Sequence, residues 1–466
     1  MPAPTSAVAG LADAFEAKVA TFVKEHRLPG AAAGVVVGDE LAWSGGYGFA
    51  DVAARAAPDA RTLYRIASIT KTFTATAILQ LRDEGKLHLD DPAVAHLPEL
   101  RDAISPFGPV ETVTIRRMLS HESGFMGDPP DADWTVNRYE GSALRNLARA
   151  VELGTRVPPN TQQKYSNMAF QLLGEIVERV SATPYIEYVR EHILAASQMT
   201  STSFDPLPDD LTGRCAVGYK ARWMSDELDV ADPWSEEVFA EGGLWSCVED
   251  LSRWIRAQFR EDGGERGGGQ ILAGSSLKEM HLPRYLGNEA WTEAWCIGWY
   301  AERKDDTVWV QHSGGLPGFT TNVCFHRGDE KVGAIALLNG VGEAEELSMS
   351  LGALALGAVR SSVTPAEAPE QTPESYRELL GLYGDAGDDA ILIRCEWRDA
   401  KLTFVDPEEP TWRPTIVPTD GQDRFVVEAG VRESGEPVTF RRRADGRVTG
   451  VTIGPFSLSR FDPVGV

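Results

Sequence analysis

One stretch constrains the fold of this chain more than any other, namely Ser68 and Lys71 with the apolar segment that runs on to Leu81. The spacing of three residues places both side chains on one face of an α-helix, about one turn apart. The following residues are apolar around most of the helix, as is typical of a helix buried in a large domain. We therefore predict that Ser68 lies at the N-terminus of a core helix, where the dipole stabilises developing negative charge. A lysine held there is partly desolvated, and desolvation favours the neutral amine that can act as a base.

A serine three residues before a lysine is a weak signal by itself, because such matches also arise by chance. The chain has a second match, Ser275 with Lys278, which follows a glycine-rich loop and is interpreted as a helix N-cap serine with a solvated lysine. Two rarer motifs distinguish the first match. Tyr165-Ser-Asn167 is the only Tyr-x-Asn sequence in the chain, and His312-Ser-Gly-Gly315 is the only His-x-Gly-Gly sequence.

Taken in this order, the three motifs resemble the elements that line the cleft of the serine β-lactamase and penicillin-binding-protein superfamily. The chain is similar in particular to the class C-like branch, which includes esterases, D-aminopeptidases and penicillin-binding-protein-type thioesterases. The resemblance covers most of residues 8–360. It implies an α+β, β-lactamase-like fold with an antiparallel sheet flanked by helices and an all-helical lobe. The stretches that support it are Gly46-Tyr-Gly-Phe-Ala-Asp51, Met118-Leu-Ser-His-Glu-Ser-Gly124 and Glu241-Gly-Gly-Leu-Trp-Ser246.

The resemblance also implies a role for each residue of the motifs. Ser68 becomes acylated, and an adjacent base must first take the proton of its hydroxyl group. Lys71 is that base, while Tyr165 shares the proton network and protonates the leaving group. Asn167 holds the scissile or an adjacent amide by hydrogen bonds. The backbone N–H groups of Ser68 and Gly315 form the oxyanion hole that stabilises the tetrahedral intermediate.

His312 departs from the pattern of the superfamily, since many β-lactamases and cell-wall enzymes carry a lysine at this position. Lysine is a fixed cation that attracts a substrate carboxylate, whereas histidine is neutral or cationic according to its surroundings. An alternative role for His312 is a hydrogen bond to Tyr165 that tunes its basicity. We therefore expect ester, amide or thioester substrates in preference to efficient hydrolysis of β-lactams.

The candidate substrate-binding residues are Gly243, Trp245 and Gly314. Trp245 and Phe239 are aromatic residues beside a glycine pair, and a plain core role is an equally good interpretation for them. His121 is interpreted as a structural loop histidine whose ring is satisfied by backbone groups, although a catalytic role was the alternative considered.

The elements that surround these motifs are also predicted from periodicity and turn signals. The predicted elements of the first domain are helices over 8–26, 114–119, 142–153, 167–181, 249–259 and 343–359, and strands over 31–37, 41–48, 295–302, 308–312, 321–326 and 332–339. We assign residues 1–360 to the catalytic domain.

A polar, proline-rich linker is predicted over 361–373. Beyond it, over 374–466, short alternating runs are separated by turn signals, among them Asp445-Gly446, which is a strong hairpin signal. We predict an antiparallel β-barrel or β-sandwich there. The resemblance implies the lipocalin-like barrel that is attached to some members of the branch.

Composition excludes several functional classes. The net charge of −24 leaves no electrostatic footprint for nucleic acid or for an anionic membrane. The five cysteines are odd in number and scattered, which indicates reduced, mostly packed thiols. No metal ligand spacing and no cofactor motif are evident. With no signal sequence or long apolar run visible, we predict a cytoplasmic protein without a membrane span.

Three functions remain open at this stage. The leading one is a serine hydrolase or acyltransferase that works through a Ser68 acyl-enzyme on ester, amide or peptide substrates. The second is a penicillin-binding-protein-type thioesterase that cyclises a peptidyl thioester. The substrate is then a small molecule or peptide, either free or bound to a carrier protein. The third is a non-catalytic, ligand-binding module with the same fold. The acyl group, the acceptor (water or amine) and the oligomeric state stay undetermined.

Overall fold

The computed structural model describes residues 4–128, 143–221, 227–231, 240–260, 271–304, 307–362, 372–384, 392–398, 401–406, 413–429 and 434–461. The chain divides into two compact units, Met1–Ser362 and Val363–Val466. No helix among these described residues is long and apolar enough to cross a membrane.

Within the described residues, the first unit is built on an antiparallel sheet of eight strands in the order β2-β1-β13-β12-β11-β10-β9-β8. Three short strands form a second sheet in the order β3-β7-β4, and β5 pairs with β6. The strands of this unit are β1 (Gly30–Val37), β2 (Glu40–Gly48), β3 (Tyr64–Arg65), β4 (Ser203–Phe204), β5 (Tyr219–Ala221), β6 (Leu228–Val230), β7 (Leu244–Ser246), β8 (Tyr285–Leu286), β9 (Glu293–Trp295), β10 (Tyr300–Lys304), β11 (Thr307–Leu316), β12 (Phe319–His326) and β13 (Val332–Leu338).

Helices cover both faces of the large sheet. The helices of the first unit are α1 (Pro4–Ala9), α2 (Ala12–Glu25), α3 (Thr70–Asp83), α4 (Ala93–His96), α5 (Ile115–Leu119), α6 (Ala143–Leu153), α7 (Asn167–Ser181), α8 (Tyr185–Val189), α9 (Asp209–Thr212), α10 (Val248–Gln258), α11 (Gly274–Met280) and α12 (Ala344–Ser362). Side chains of α2 and α12 form one apolar core with one face of the sheet. Side chains of α3, α7 and α10 form the larger core with the other face. Strands β1 and β13 are buried along their whole length, which explains their continuous apolar sequences.

Helix α3 is the core helix that the sequence predicts. Its residues from Thr70 to Leu81 are buried with the single exception of Gln80. The ring of Phe73 stacks on that of Trp254 at a centroid distance of 3.9 Å. Gly85 follows the helix with φ of 71°, a left-handed conformation that ends helices and that glycine adopts without strain. The prediction of a buried core helix is confirmed.

Two local predictions are wrong. The expected strand over 295–302 is a hairpin, because β9 and β10 are joined by a turn in which Gly298 has φ of 69°. A Cβ atom on Gly298 would lie 2.4 Å from Ala75 Cβ, so packing against α3 forces the reversal. Ser275 lies inside α11, whose N-cap is Ala273, and it is therefore not an N-cap serine.

The second unit contains, in the part of 372–461 that the structure describes, a closed antiparallel barrel of eight strands, which excludes the sandwich alternative. Its core is apolar and includes Tyr383, Phe404 and Phe440. A short helix, α13 (Glu374–Arg377), precedes the barrel. The strands are β14 (Gly381–Gly384), β15 (Leu392–Arg398), β16 (Lys401–Val405), β17 (Thr415–Pro418), β18 (Arg424–Ala429), β19 (Pro437–Arg442), β20 (Val448–Ile453) and β21 (Phe456–Phe461).

Cysteine chemistry follows the expectation from the sequence. All five cysteines lie in the described residues and are free thiols, and four of them are buried. The thiol of Cys247 has its pKa raised to about 12, chiefly by burial. A protonated, buried thiol is a packing group, so the structure offers no thiolate nucleophile at this position.

Candidate active site

Ser68 is presented by a short turn that the surrounding sheets hold from both sides. The turn Ala67–Ile69 is a 3-10 helix that joins β3 to α3. The residue before it, Ile66, donates its N–H to Leu244 O at 3.0 Å, and its carbonyl accepts from Thr321 Oγ1 at 3.1 Å. Ala67 and Ile69 are buried, whereas Ser68 between them is partly exposed. The hydroxyl of Ser68 is therefore displayed on a rigid support at the helix N-terminus.

The amine of Lys71 lies beside that hydroxyl. Lys71 Nζ is 3.0 Å from Ser68 Oγ and donates to the backbone carbonyl of Glu241 at 2.7 Å. The lysine side chain has no solvent-exposed surface. The predicted spacing on one helical turn thus produces a serine–amine pair in which the lysine is shielded from water.

Tyr165 comes to the same place from a loop about 100 residues further along the chain. Lys71 Nζ lies 5.1 Å from the centroid of the Tyr165 ring. Tyr165 stands just before Ser166, which caps α7 by accepting the N–H of Ala169 at 3.0 Å. Its ring stacks on that of His121 at a centroid distance of 4.3 Å. The structure therefore brings the ring of Tyr165 close to the amine of Lys71, which itself lies beside Ser68.

Asn167 is the first residue of α7 and faces an acidic neighbour. Its Nδ2 donates to Asp128 Oδ1 at 2.8 Å. Its Oδ1 is buried and has no hydrogen-bond partner among the described residues. A buried acceptor without a donor is costly, so this oxygen is suited to receive an N–H group from a bound molecule.

His312 lies on β11 and is a neutral side chain. Its Nδ1 contacts Ser313 O at 2.7 Å, which requires the proton to be on Nδ1 and leaves the lone pair on Nε2. Nε2 is buried and lacks a hydrogen-bond partner within the described part of the chain. The pKa of His312 is lowered to about 3 by burial and, secondarily, by the charge of Lys71. The hydrogen bond described for its ring goes to Ser313, so the structure does not show the alternative bond to Tyr165.

The end of β11 presents an open backbone edge next to Ser68. Its pairing with β10 ends at Gln311, opposite Tyr300, while its pairing with β12 continues as far as Leu316. Gly314 needs to be glycine here, because a Cβ atom would lie 2.2 Å from Ile66 O in the strand that leads to the Ser68 turn. Gly315 follows on the same edge and is exposed. This edge is the surface on which the carbonyl group of a substrate would be received.

The aromatic ring of Trp245 is tied to an ion pair and borders a cavity. Trp245 pairs with Arg65 across β7 and β3, and the Arg65 guanidinium lies 4.6 Å from the centroid of its ring. Asp205 accepts from Trp245 Nε1 and forms an ion pair with Arg65 at 2.7 Å. Trp245, Leu316 and others line a cavity of about 340 Å³. Gly243 is buried in the chain between Glu241 and β7, and Phe239 lies outside the described residues.

Sequence reasoning missed Glu241 as a member of the site. Its side chain is 2% exposed, and its carboxyl group accepts a hydrogen bond from Gln171 Nε2. Burial raises the pKa of Glu241 to about 7, against the opposing effects of Gln171 and Lys71. The sequence does contain a signal for this residue. Glu241 is a carboxylic acid directly before Gly242-Gly243, at the start of an otherwise apolar segment.

Taken together, the described residues can carry out nucleophilic acyl chemistry. A serine hydroxyl, a desolvated amine and a phenol converge at the mouth of α3, and two buried acceptors, on Asn167 and His312, lack donors. Among the described residues, no group of three or more His, Cys, Asp or Glu side chains is close enough together to hold a metal ion.

Comparisons with known proteins show the family and the fold of the chain. "Protein flp" of Staphylococcus aureus (strain N315) is 29% identical over 329 residues, which is 68% of this chain and 61% of that protein. The solved structure of SurE has a TM-score of 0.62 at 22% identity and covers 98% of this chain and 100% of its own. The structure of the D-amino acid amidase from Ochrobactrum anthropi SV3 has a TM-score of 0.63 at 21% identity. The match covers 76% of this chain and 100% of the amidase chain. Residues 15–358 match the family model described as Beta-lactamase, and the chain therefore belongs to the beta-lactamase family.

Proposed function

We propose that this protein is a serine acyltransferase or hydrolase that forms an acyl-enzyme on Ser68 with ester, amide or peptide substrates. The observation that carries the proposal is the 3.0 Å distance between Lys71 Nζ and Ser68 Oγ, with the lysine wholly buried. At this distance the amine, when it is unprotonated, is a base within reach of the hydroxyl proton.

The acylation step follows from these positions. Ser68 Oγ loses its proton to Lys71 Nζ and attacks the carbonyl carbon of the substrate, whose oxygen gains the negative charge. Backbone N–H groups of Ser68 and Gly315 stabilise that oxygen. The bond to the leaving group breaks as the leaving group takes the proton from Lys71 through Tyr165. The acyl group is then bonded to Ser68 Oγ, and water or an amine releases it by the reverse sequence.

The remaining polar groups suit an amide substrate. Asn167 Oδ1 is a buried acceptor to which no described residue donates, and it would accept an amide N–H of the substrate. His312 is neutral, so it does not supply the fixed cation that a substrate carboxylate needs. The likeness to a D-amino acid amidase motivates D-amino acid amides and peptides as the first substrates to test. The cavity beside Trp245 would hold a side chain of the acyl group.

The test is covalent labelling of the full chain with a fluorophosphonate, together with turnover of p-nitrophenyl esters. We expect the wild-type protein to gain one adduct on Ser68, and Ser68→Ala to gain none. Ser275→Ala is the matched control, because Ser275 and Lys278 repeat the motif spacing on α11 away from the site. Undiminished labelling and turnover in Ser68→Ala would overturn the proposal. Ligand binding by a wild-type protein that never forms an adduct would favour the non-catalytic alternative.

A second candidate differs only in the acyl acceptor. The structural likeness to SurE spans both units of the chain, including the barrel. It motivates the hypothesis that the substrate's own amine, in place of water, attacks the acyl-serine. The substrate would then be a linear peptidyl thioester, delivered free or on a carrier protein. Incubation with such a thioester that has a free N-terminal amine separates the two outcomes by mass spectrometry. Cyclic peptide supports the cyclase, whereas linear acid alone from several peptides supports the hydrolase.

A further inference from the structure

His121 contacts Tyr165 in three ways. The N–H of Lys164, the residue before Tyr165, donates to the backbone carbonyl of His121 at 2.8 Å. The N–H of Ser166, the residue after it, donates to His121 Nδ1 at 3.1 Å. The imidazole then stacks on the phenol ring between them, with centroids 4.3 Å apart and planes at 28°. One residue thus accepts the backbone N–H groups of both neighbours of Tyr165 and also packs on its ring.

The imidazole of His121 is itself held firmly. The side chain has no exposed surface, the Trp295 ring meets its edge at a centroid distance of 4.6 Å, and Phe170 lies at 5.1 Å. Its backbone adopts φ of 60°, the left-handed region that a non-glycine residue rarely occupies. Residues kept in this conformation are concentrated where the surrounding structure needs a particular geometry.

The neutral imidazole is the form that can make these contacts. Because Nδ1 accepts the N–H of Ser166, the proton is on Nε2, which is buried and has no hydrogen-bond partner among the described residues. Burial lowers the pKa of His121 well below its usual value, and the positive charge that Lys71 or His312 carries when protonated would lower it further. A second proton, on Nδ1, would face the Ser166 N–H and break the contact.

We propose that His121 is a positioning residue that fixes the Tyr165 phenol relative to the Lys71 amine. The inference rests on the proposed function, because it assigns to His121 the placement of a group used in proton transfer. Proton transfer requires donor and acceptor within hydrogen-bond reach, so a displaced phenol slows the chemical step. A misplacement of about 1 Å in an active site can cost about 100-fold in rate.

Two variants separate the contacts. His121→Phe keeps a ring against Tyr165 and loses the acceptor, whereas His121→Asn keeps a side-chain acceptor near the position of Nδ1 and loses the stack. We expect each to lower kcat by about 10- to 100-fold with little change in KM, because the phenol serves the reaction and not the binding of substrate. His281→Phe is the matched control, since His281 is also fully buried among aromatic rings, against Phe325 and Trp299. We expect His281→Phe to retain kcat within about twofold while it loses comparable thermal stability.

The decisive readout is non-additivity with Tyr165→Phe. If His121 acts through the phenol, His121→Phe lowers the rate of fluorophosphonate labelling in the wild-type background and has no further effect in the Tyr165→Phe background. An equal loss in both backgrounds, or wild-type kcat in His121→Phe and His121→Asn, would overturn the inference. If one variant fails to give a cooperative unfolding transition, the other decides. A wild-type protein that is not labelled at all contradicts the proposed function instead, so the two failures are distinguishable.

Discussion

Lys71 Nζ donates a 2.7 Å hydrogen bond to the backbone carbonyl of Glu241, a residue whose own side chain is buried. The residue that anchors the amine therefore also places a carboxyl group in the same low-dielectric region. That carboxyl accepts from Gln171, and its pKa is raised to about 7 because burial outweighs the attraction of Lys71. Its charge state changes near neutral pH, which has a measurable consequence for stability.

Glu241 is expected to make the wild-type protein less stable as pH rises from about 4.5 to about 7. In this window the unfolded carboxyl ionises while the folded one stays protonated, so the folded state binds more protons and loses stability with rising pH. Glu241→Gln removes the titration. The difference in free energy of unfolding, variant minus wild type, should increase by up to roughly 3 kcal/mol as pH rises from 4.5 to 8. Urea denaturation measures this difference. Glu289→Gln, at an exposed position, is the control and should show a constant difference.

Lys71→Met should abolish most of the acylation while it preserves the fold. Methionine fills the buried space of the lysine stem without an amine, so the hydroxyl of Ser68 loses its base. The rate of fluorophosphonate labelling should fall by about 1,000-fold, as is usual on loss of a general base. Lys278→Met removes the lysine of the other Ser-x-x-Lys sequence and should label at the wild-type rate. A labelling rate for Lys71→Met within tenfold of the wild type would count against the assigned base.

Gly314→Ala should destabilise the protein and displace the Ser68 turn. The added Cβ would lie 2.2 Å from Ile66 O, and a backbone atom at that distance cannot be avoided by a side-chain rotation. Overpacking of this kind costs about 1–3 kcal/mol, so the melting temperature and kcat should both fall. Gly315→Ala is the matched variant for stability, because its added Cβ would meet no atom within 4 Å from the described residues beyond its own chain neighbours. Equal melting temperatures for Gly314→Ala and the wild type would contradict the close approach.

His312 should lower the stability of the wild-type protein in mild acid. Its pKa in the folded state is about 3 and its ordinary value is 6.5, so below pH 6.5 the unfolded state binds the additional proton. Stability from the neutral ring is therefore present above pH 6.5 and is lost as pH falls towards 3. His312→Asn keeps a donor for Ser313 O and does not titrate. Relative to the wild type, its free energy of unfolding in urea denaturation should rise by about 2 kcal/mol between pH 7.5 and pH 5. A constant difference would show that the pKa of His312 is the same in the folded and unfolded states.

Much of the site could be predicted because its central pair is local in sequence. Ser68 and Lys71 are three residues apart, and any helix that begins at this point brings an amine close to the hydroxyl. Helix α7 has the bounds that the apolar periodicity predicts, Asn167–Ser181, because its N-cap serine and its apolar face are both local signals. The hairpin at Asp445-Gly446 likewise follows from turn chemistry, since Gly446 has φ of 89°.

Only the tertiary structure decided which polar groups surround that pair. The carbonyl that holds Lys71 is 170 residues away along the chain, and the histidine that packs on Tyr165 is 44 residues before it, so no local pattern records either contact. The turn at Gly298 was also decided by packing, because its cause is the proximity of Ala75 in α3. The sequence by itself determined the serine, its neighbouring amine and the helix that carries them. Long-range burial determined the protonation states of Glu241, His121 and His312, because desolvation depends on everything that packs around a side chain.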